Sequence, residues 1–205
     1  MVRARHVLLG VAAIGITGLT RLYVLVVRGA LTLDLGIGRR VRPLGPINVR
    51  IAADPETVFD IIAAPYLGKP PQAMADKLRV VERGTDMVLA EHFTDLGRGG
   101  KAVTLETVRF DRPHIVTFRL VRGPVPYVVE TFDLRPSDGG TAFTYTGEMG
   151  ADFWALGTWW AGKVAGRWEQ AVAGSLASIK EEGERLAGRP RRPDKIGTAW
   201  PEQPE

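Results

Sequence analysis

The sequence predicts an α+β domain: a seven-stranded antiparallel sheet curved around one long C-terminal helix, with two short helices after the first strand. Three patterns carry that prediction. Ile47, Val49 and Ile51 alternate with Asn48 and Arg50 and lead into Asp54-Pro55-Glu56-Thr57-Val58-Phe59, a strand followed by a helix start. Six strand-like runs separated by turn residues come next. From about Asp152 the apolar period changes from 2 to 3.6 and holds for roughly 35 residues, about 50 Å of helix.

Each element has a local reason. Asp54 is placed to cap the first helix, and Pro55 sits at its first position, where a missing N–H costs nothing. Val58, Phe59 and Ile62 form its apolar stripe, and Ala64-Pro65 is expected to end it. A second short helix is expected around Pro71–Asp76. Arg83-Gly84-Thr85-Asp86 joins Leu78–Glu82 to Met87–Phe93 as a hairpin. Gly97-Arg98-Gly99-Gly100 leads to Ala102–Phe110, and Asp111-Arg112-Pro113 to Ile115–Val121. Gly123-Pro124-Val125-Pro126 leads to Tyr127–Leu134, and Ser137-Asp138-Gly139-Gly140 to Thr141–Gly147. On the final helix Leu156, Trp160, Val164, Trp168, Val172, Leu176 and Ile179 recur at spacings of four and three, with Gly183 and Gly188 loosening its end. A meander leaves one apolar face open, and this helix is the element available to cover it.

The chain divides into an N-terminal segment over 1–45, a domain over 46–188 and a Pro-rich, charged tail over 189–205 that is read as disordered. The pI near 9.6 belongs to the flanks. Residues 1–45 carry +6 and 188–205 carry +1 of a total of +4, which leaves 46–187 at −3. A mildly acidic domain has no basic face for phosphates, so nucleic acid is not an expected partner. The absence of cysteine removes disulfides, thiolate metal sites and Cys nucleophiles.

Val7–Val27 is almost wholly apolar, about 21 residues or roughly 31 Å of helix, enough to cross a bilayer despite Arg21 near one end. It reads as an uncleaved membrane anchor, with a signal peptide or an interfacial helix as alternatives. Arg28, Arg39, Arg40 and Arg42 follow it and only Arg3 and Arg5 precede it, which places the domain on the cytoplasmic side of the membrane.

The order of these elements resembles the START-related SRPBCC superfamily, the helix-grip fold of lipid-transfer domains and polyketide cyclases. The resemblance rests on Ile47–Ile51 running into Asp54–Asp60, on Val108–Arg119 around Asp111-Arg112-Pro113, on Asp138-Gly139-Gly140-Thr141 and on the C-terminal helix, about 140 residues in all. It implies a hydrophobic cavity between sheet and helix. It transfers no catalytic role to a numbered position, because the superfamily holds binders, transfer proteins and enzymes alike.

Strand parity picks out the expected cavity wall. Glu130 shares a face with Val128, Phe132 and Leu134, so a carboxylate points inward among apolar neighbours, where its pKa rises unless it pairs with an Arg such as Arg109 or Arg119. Glu91 shares parity with Leu89 and Phe93 and makes the same case more weakly, since Val88 and Ala90 are apolar too. Phe118, Leu120, Phe143 and Tyr145 alternate inward; Phe59, Tyr66 and Met74 lie at the short helices; Trp160, Val164 and Trp168 look down from the long helix. Trp159 falls off its buried stripe and would meet a bilayer or a partner. His92 is assigned to the face opposite Glu91, and the three His residues form no metal or nucleophile system. No motif calls for a cofactor or metal.

The leading expectation is a membrane-tethered binder or carrier of a lipid or other hydrophobic small molecule, without catalysis. The alternatives are a cyclase or dehydratase using Glu130 or Glu91 as acid–base residue, and an interaction scaffold with a vestigial pocket. Ligand identity and oligomeric state have no signature in the chain.

Overall fold

The computed structural model describes residues 17–68, 76–97 and 100–188. In chain order the domain has β1 (Arg40–Ile51), α1 (Pro55–Leu67), β2 (Leu78–Arg83), β3 (Met87–Gly97), β4 (Gly100–Asp111), β5 (Ile115–Arg122), β6 (Tyr127–Ser137), β7 (Gly140–Ala151) and α2 (Trp154–Ala187). The strands form one antiparallel sheet in the order β1-β7-β6-β5-β4-β3-β2. Strands β2 to β7 are the expected meander, and β1 closes it by pairing with β7. The second short helix expected over 71–76 lies outside the described residues except for Asp76, which is in a turn. The tail over 189–205 lies outside them as well.

β1 begins at Arg40, well before the alternation at Ile47. A bulge between Leu44 and Ile47 shifts the register against β7 and interrupts the period of two, which hides the first half of the strand from a parity reading. In α1 the Asp54 carboxylate accepts from the Thr57 N–H at 2.8 Å, the expected cap. The helix does not stop at Ala64-Pro65 but runs to Leu67 with Pro65 inside it. Its last turn is held by Arg83, whose guanidinium donates to the Tyr66 carbonyl at 3.0 Å and the Gly68 carbonyl at 3.1 Å.

α2 lies across the concave face of the sheet. Its buried positions are Gly157, Ala161, Ala165, Leu176 and Gly183, with Trp160, Val164, Trp168, Val172 and Ile179 half-buried beside them. Small residues at four-residue spacing let the first turns approach the strands closely. A Cβ on Gly157 would stand 1.7 Å from the Asp152 carbonyl oxygen. With Gly157 packed on the Asp152 carbonyl of the connection from β7, Leu156 faces outward, 66% exposed, against the expectation that it lies on the buried stripe. Gly183 does not loosen the helix either. It packs on Ile51, which a Cβ there would meet at 3.1 Å.

Residues 17–27 are helical and 28–39 lie along the end of the domain. Asp152 accepts from the Leu35 N–H at 2.7 Å, the Gly36 N–H at 2.8 Å and Arg39 Nε at 2.7 Å, and Thr32 and Gly123 hydrogen-bond to each other at 2.9 Å. Tyr23 meets Trp160 edge-on at 6.1 Å. Among the described residues no helix is long and apolar enough to cross a membrane. The first ten residues of the Val7–Val27 run lie outside the described residues.

Candidate functional site

Phe118, Phe132 and Phe143, on the adjacent strands β5, β6 and β7, form an aromatic floor with ring centroids 4.8 and 5.1 Å apart. Around it the inward face is not uniformly sealed. Phe118, Leu120 and Phe132 keep 6%, 8% and 7% of their surface accessible and Glu106 and Glu130 5% each, whereas Leu134, Phe143 and Tyr145 keep 0–1%. With Tyr66 and Thr104 at 9% each, the accessible part of the interior runs beside the two carboxylates.

Glu130 sits on β6 where parity puts it, and its expected Arg partner is replaced by neutral donors. The Tyr145 hydroxyl and the Trp168 indole N–H both donate to Glu130 Oε1 at 2.7 Å. Tyr145 lies diagonally across β7, and Gly147, directly opposite Glu130, leaves room for the side chain. Arg109 instead pairs with Asp86. Burial, reinforced by the charge of Glu106, pushes the Glu130 carboxyl up to about 7 against the lowering effect of its two donors.

Glu106 escaped the sequence reading. It shares inward parity with Thr104, Val108 and Phe110 on β4, the same signal that found Glu130. Thr104 Oγ1 donates to its Oε1 at 2.6 Å, and burial pushes the Glu106 carboxyl up to about 7 as well. The two carboxylates flank β5, with Glu106 opposite Leu120 and Glu130 opposite Phe118.

His92 is also inside, contrary to its assignment to the outer face. Val88, Ala90 and His92 share the buried face of β3, and Leu89, Glu91 and Phe93 take the other, so those three do not line the interior. Both faces of β3 are apolar enough that alternation does not choose between them; the docking of α1 does, by bringing the Tyr66 hydroxyl to 2.8 Å from His92 Nε2. His92 Nδ1 lies 3.3 Å from Glu106 Oε2 without an aligned hydrogen bond. Burial lowers the His92 pKa to about 4 and raises that of Tyr66. Glu91 is covered by Arg79, whose Nε donates to it at 2.9 Å, and has Arg122 at 3.6 Å, an outer-face ion-pair cluster.

The remaining expected residues divide as follows. Phe59 and Tyr66 pack with Phe110 at the α1 end. Trp160 donates its indole N–H to the Pro124 carbonyl at 2.7 Å at the other end, and Val164 and Trp168 roof the centre. Met74 lies outside the described residues. A separate open depression of about 310 Å³, lined by Tyr127, Val129, Thr131, Thr146, Gly147 and Glu148, is on the sheet's outer face, behind Glu130.

Residues 47–184 match the family described as polyketide cyclase / dehydrase and lipid transport, the span from β1 to the last turns of α2. The chain belongs to this family. The helix-grip architecture of this family accounts for the sheet wrapped on one long helix. Among solved structures the family member resembles the Zhui aromatase/cyclase from Streptomyces sp. R1128, with 15% identity, a TM-score of 0.57 and coverage of 72% of this chain and 94% of that one. It also resembles norcoclaurine synthase from Thalictrum flavum in complex with dopamine and hydroxybenzaldehyde, with 14% identity, a TM-score of 0.53 and coverage of 75% and 90%. At these identities the likeness is one of fold. No curated protein matches the sequence.

Proposed function

We propose that this family member binds a hydrophobic, ring-bearing or acyl small molecule between the sheet and α2, with a polar atom of the ligand directed at Glu106 and Glu130, and that Val7–Val27 tethers it at a membrane. The observation that carries the ligand reading is the patch of residual accessibility, where Phe118, Leu120 and Phe132 offer apolar contact beside two carboxyls raised to about 7 by burial and so partly protonated near pH 7. A protonated carboxyl donates to a carbonyl or hydroxyl oxygen without burying net charge, which suits a weakly polar ligand. The test is native mass spectrometry of the full chain, followed by organic extraction. A stoichiometric hydrophobic mass that Phe118→Ala and Glu130→Gln fail to retain supports the reading. An empty protein that also ignores fluorescent fatty-acid and naphthol probes refutes it.

A second reading is acid–base catalysis, favoured by the chain Tyr66–His92–Glu106 ending beside Glu130. A hydroxyl, an imidazole and two carboxyls displaced from their ordinary pKa values can pass a proton to and from a bound carbonyl compound. Turnover of an extracted ligand that Glu106→Gln abolishes while leaving binding intact would favour catalysis over carriage.

A further inference from the structure

We propose that the face made by the first turns of α2 and the segment 17–42 docks flat on an anionic lipid bilayer, so that the domain itself contacts the membrane in addition to any tether. Trp154, Leu156 and Trp159 at the start of α2 are 56%, 66% and 59% exposed. Leu35, Ile37 and Tyr23 from the N-terminal segment add 60%, 48% and 52%. These side chains are one patch. The Phe153 N–H donates to the Ile37 carbonyl at 2.8 Å, the Trp154 N–H to the Gly38 carbonyl at 3.0 Å, and Trp160, with Trp159 at 6.5 Å, holds Tyr23.

The backbone fixes this exposure. Phe153 and Trp154 both have positive φ, 71° and 47°, a conformation that is costly for a non-glycine residue. Gly38, at φ +60°, lets the Trp154 ring lie over the chain where any Cβ would stand 2.4 Å from it. Strain at the start of α2 that leaves the Trp154 indole more than half exposed, beside the exposed Leu156 and Trp159, points to an external apolar phase.

The charges say which phase. Trp159, Lys163 and Arg167 follow one another at four-residue spacing on the exposed side of α2, with Leu156 three residues before, so an apolar and indole tip passes into a cationic stripe along one face. Over 17–42 there are five arginines, of which Arg39 is taken up by Asp34 and Asp152, which leaves four, and residues 154–168 contain no acid. Indole at the headgroup level with Lys and Arg beside it matches an anionic bilayer surface, which attracts each cation near it. A protein partner would not require a one-signed rim. This surface does not depend on what occupies the interior.

The test uses the full chain with phosphatidylcholine vesicles, with and without phosphatidylglycerol, carrying bromine on the acyl chains. Bromine quenching reports indoles that enter the bilayer, whatever else holds the protein to it. We expect quenching on phosphatidylglycerol vesicles that Trp154→Phe/Trp159→Phe removes, that Trp159→Phe alone reduces, and that Lys163→Glu/Arg167→Glu weakens only when the anionic lipid is present. Co-sedimentation of the wild-type chain with vesicles without bromine quenching of its indoles would overturn the proposal, leaving the Val7–Val27 run, which holds no Trp, as sole contact. A chain that ignores vesicles yet forms a dimer broken by Leu156→Glu would overturn it in favour of a protein interface.

Discussion

Trp168 on α2 donates its indole N–H to the same Glu130 oxygen that accepts the Tyr145 hydroxyl, both at 2.7 Å, so a single carboxylate oxygen ties the roof helix to the sheet. Hydrogen bonds to a charged acceptor contribute about 1.5–3 kcal/mol, and more is at stake when the acceptor is buried. Trp168→Phe therefore destabilises the domain by about 2 kcal/mol at pH 8, where Glu130 is ionised, and by less at pH 5, where it is protonated. Urea denaturation at the two pH values measures this difference. An equal loss at both would mean that the indole acts by packing alone.

Glu130→Gln should have the opposite sign. The amide oxygen can still accept from Tyr145 and Trp168, and the buried charge is gone. The variant is expected to match the wild type at pH 5 and to exceed it at pH 8. The same two denaturation curves read the outcome, and a variant less stable than the wild type at pH 8 contradicts the assignment of Glu130 as a strained anion.

Stability against pH follows from the same groups. Glu106 and Glu130 have folded pKa values of about 7, above the ordinary carboxylate value, so the stability they contribute is fully present in acid and is lost as pH rises from about 4 through 7. His92 is lowered to about 4, so its contribution is present above about 6.5 and is lost as pH falls through 4. Facing these groups are Tyr66 on α1, Thr104 on β4, Tyr145 on β7 and Trp168 on α2, none of which titrates between pH 4 and 8. With two carboxyls against one imidazole the loss outweighs the gain, so the melting temperature should be highest near about pH 4 and decline through pH 7, and Glu106→Gln should flatten that decline. A melting temperature that rises steadily to pH 8 would rule this out.

The architecture was legible in the sequence because its signals are local: Asp54 and Pro55 start a helix, turn residues separate the strands, and a change of period announces α2. Half of the site was legible for the same reason, since Glu130 stands in an unambiguous alternation. Glu106 carried the same signal on β4 and was overlooked beside Thr104 and Thr107, which blur the contrast between faces. His92 and Glu91 were exchanged because both faces of β3 are apolar, and only the packing of Tyr66 against His92 decides between them. The start of β1 was hidden by its bulge, and Leu156 misled because Gly157, not an apolar side chain, packs at the start of α2.

Asp152 ties the N-terminal segment to the junction of β7 and α2. Its side chain is 1% exposed and accepts from Leu35, Gly36 and Arg39, and the Arg39 hydrogen bond holds its carboxyl below the usual range. Asp152→Ala leaves two backbone N–H groups without their acceptor and Arg39 with Asp34 alone, a loss of roughly 3 kcal/mol. Trypsin should then cut at Arg39 or Arg40 while the rest of the domain resists. Undiminished protection of 28–42 in the variant would show that the segment is held by its other contacts.

Alanine substitutions of glycines along α2 should split by position. Glycine in a helix interior is about 1 kcal/mol worse than alanine, and Gly162, Gly166 and Gly174 have open space where a Cβ would go. Each of those changes to Ala should stabilise by about 0.5–1 kcal/mol. Gly157→Ala should do the reverse, since its Cβ would meet the Asp152 carbonyl at 1.7 Å and push the first turn of α2 away from the sheet. Gly183→Ala falls between, with Ile51 Cγ2 at 3.1 Å able to yield by only a few tenths of an ångström. Thermal melts of the five variants test the ordering, and a stabilised Gly157→Ala would show that α2 does not sit on the sheet through its small-residue face.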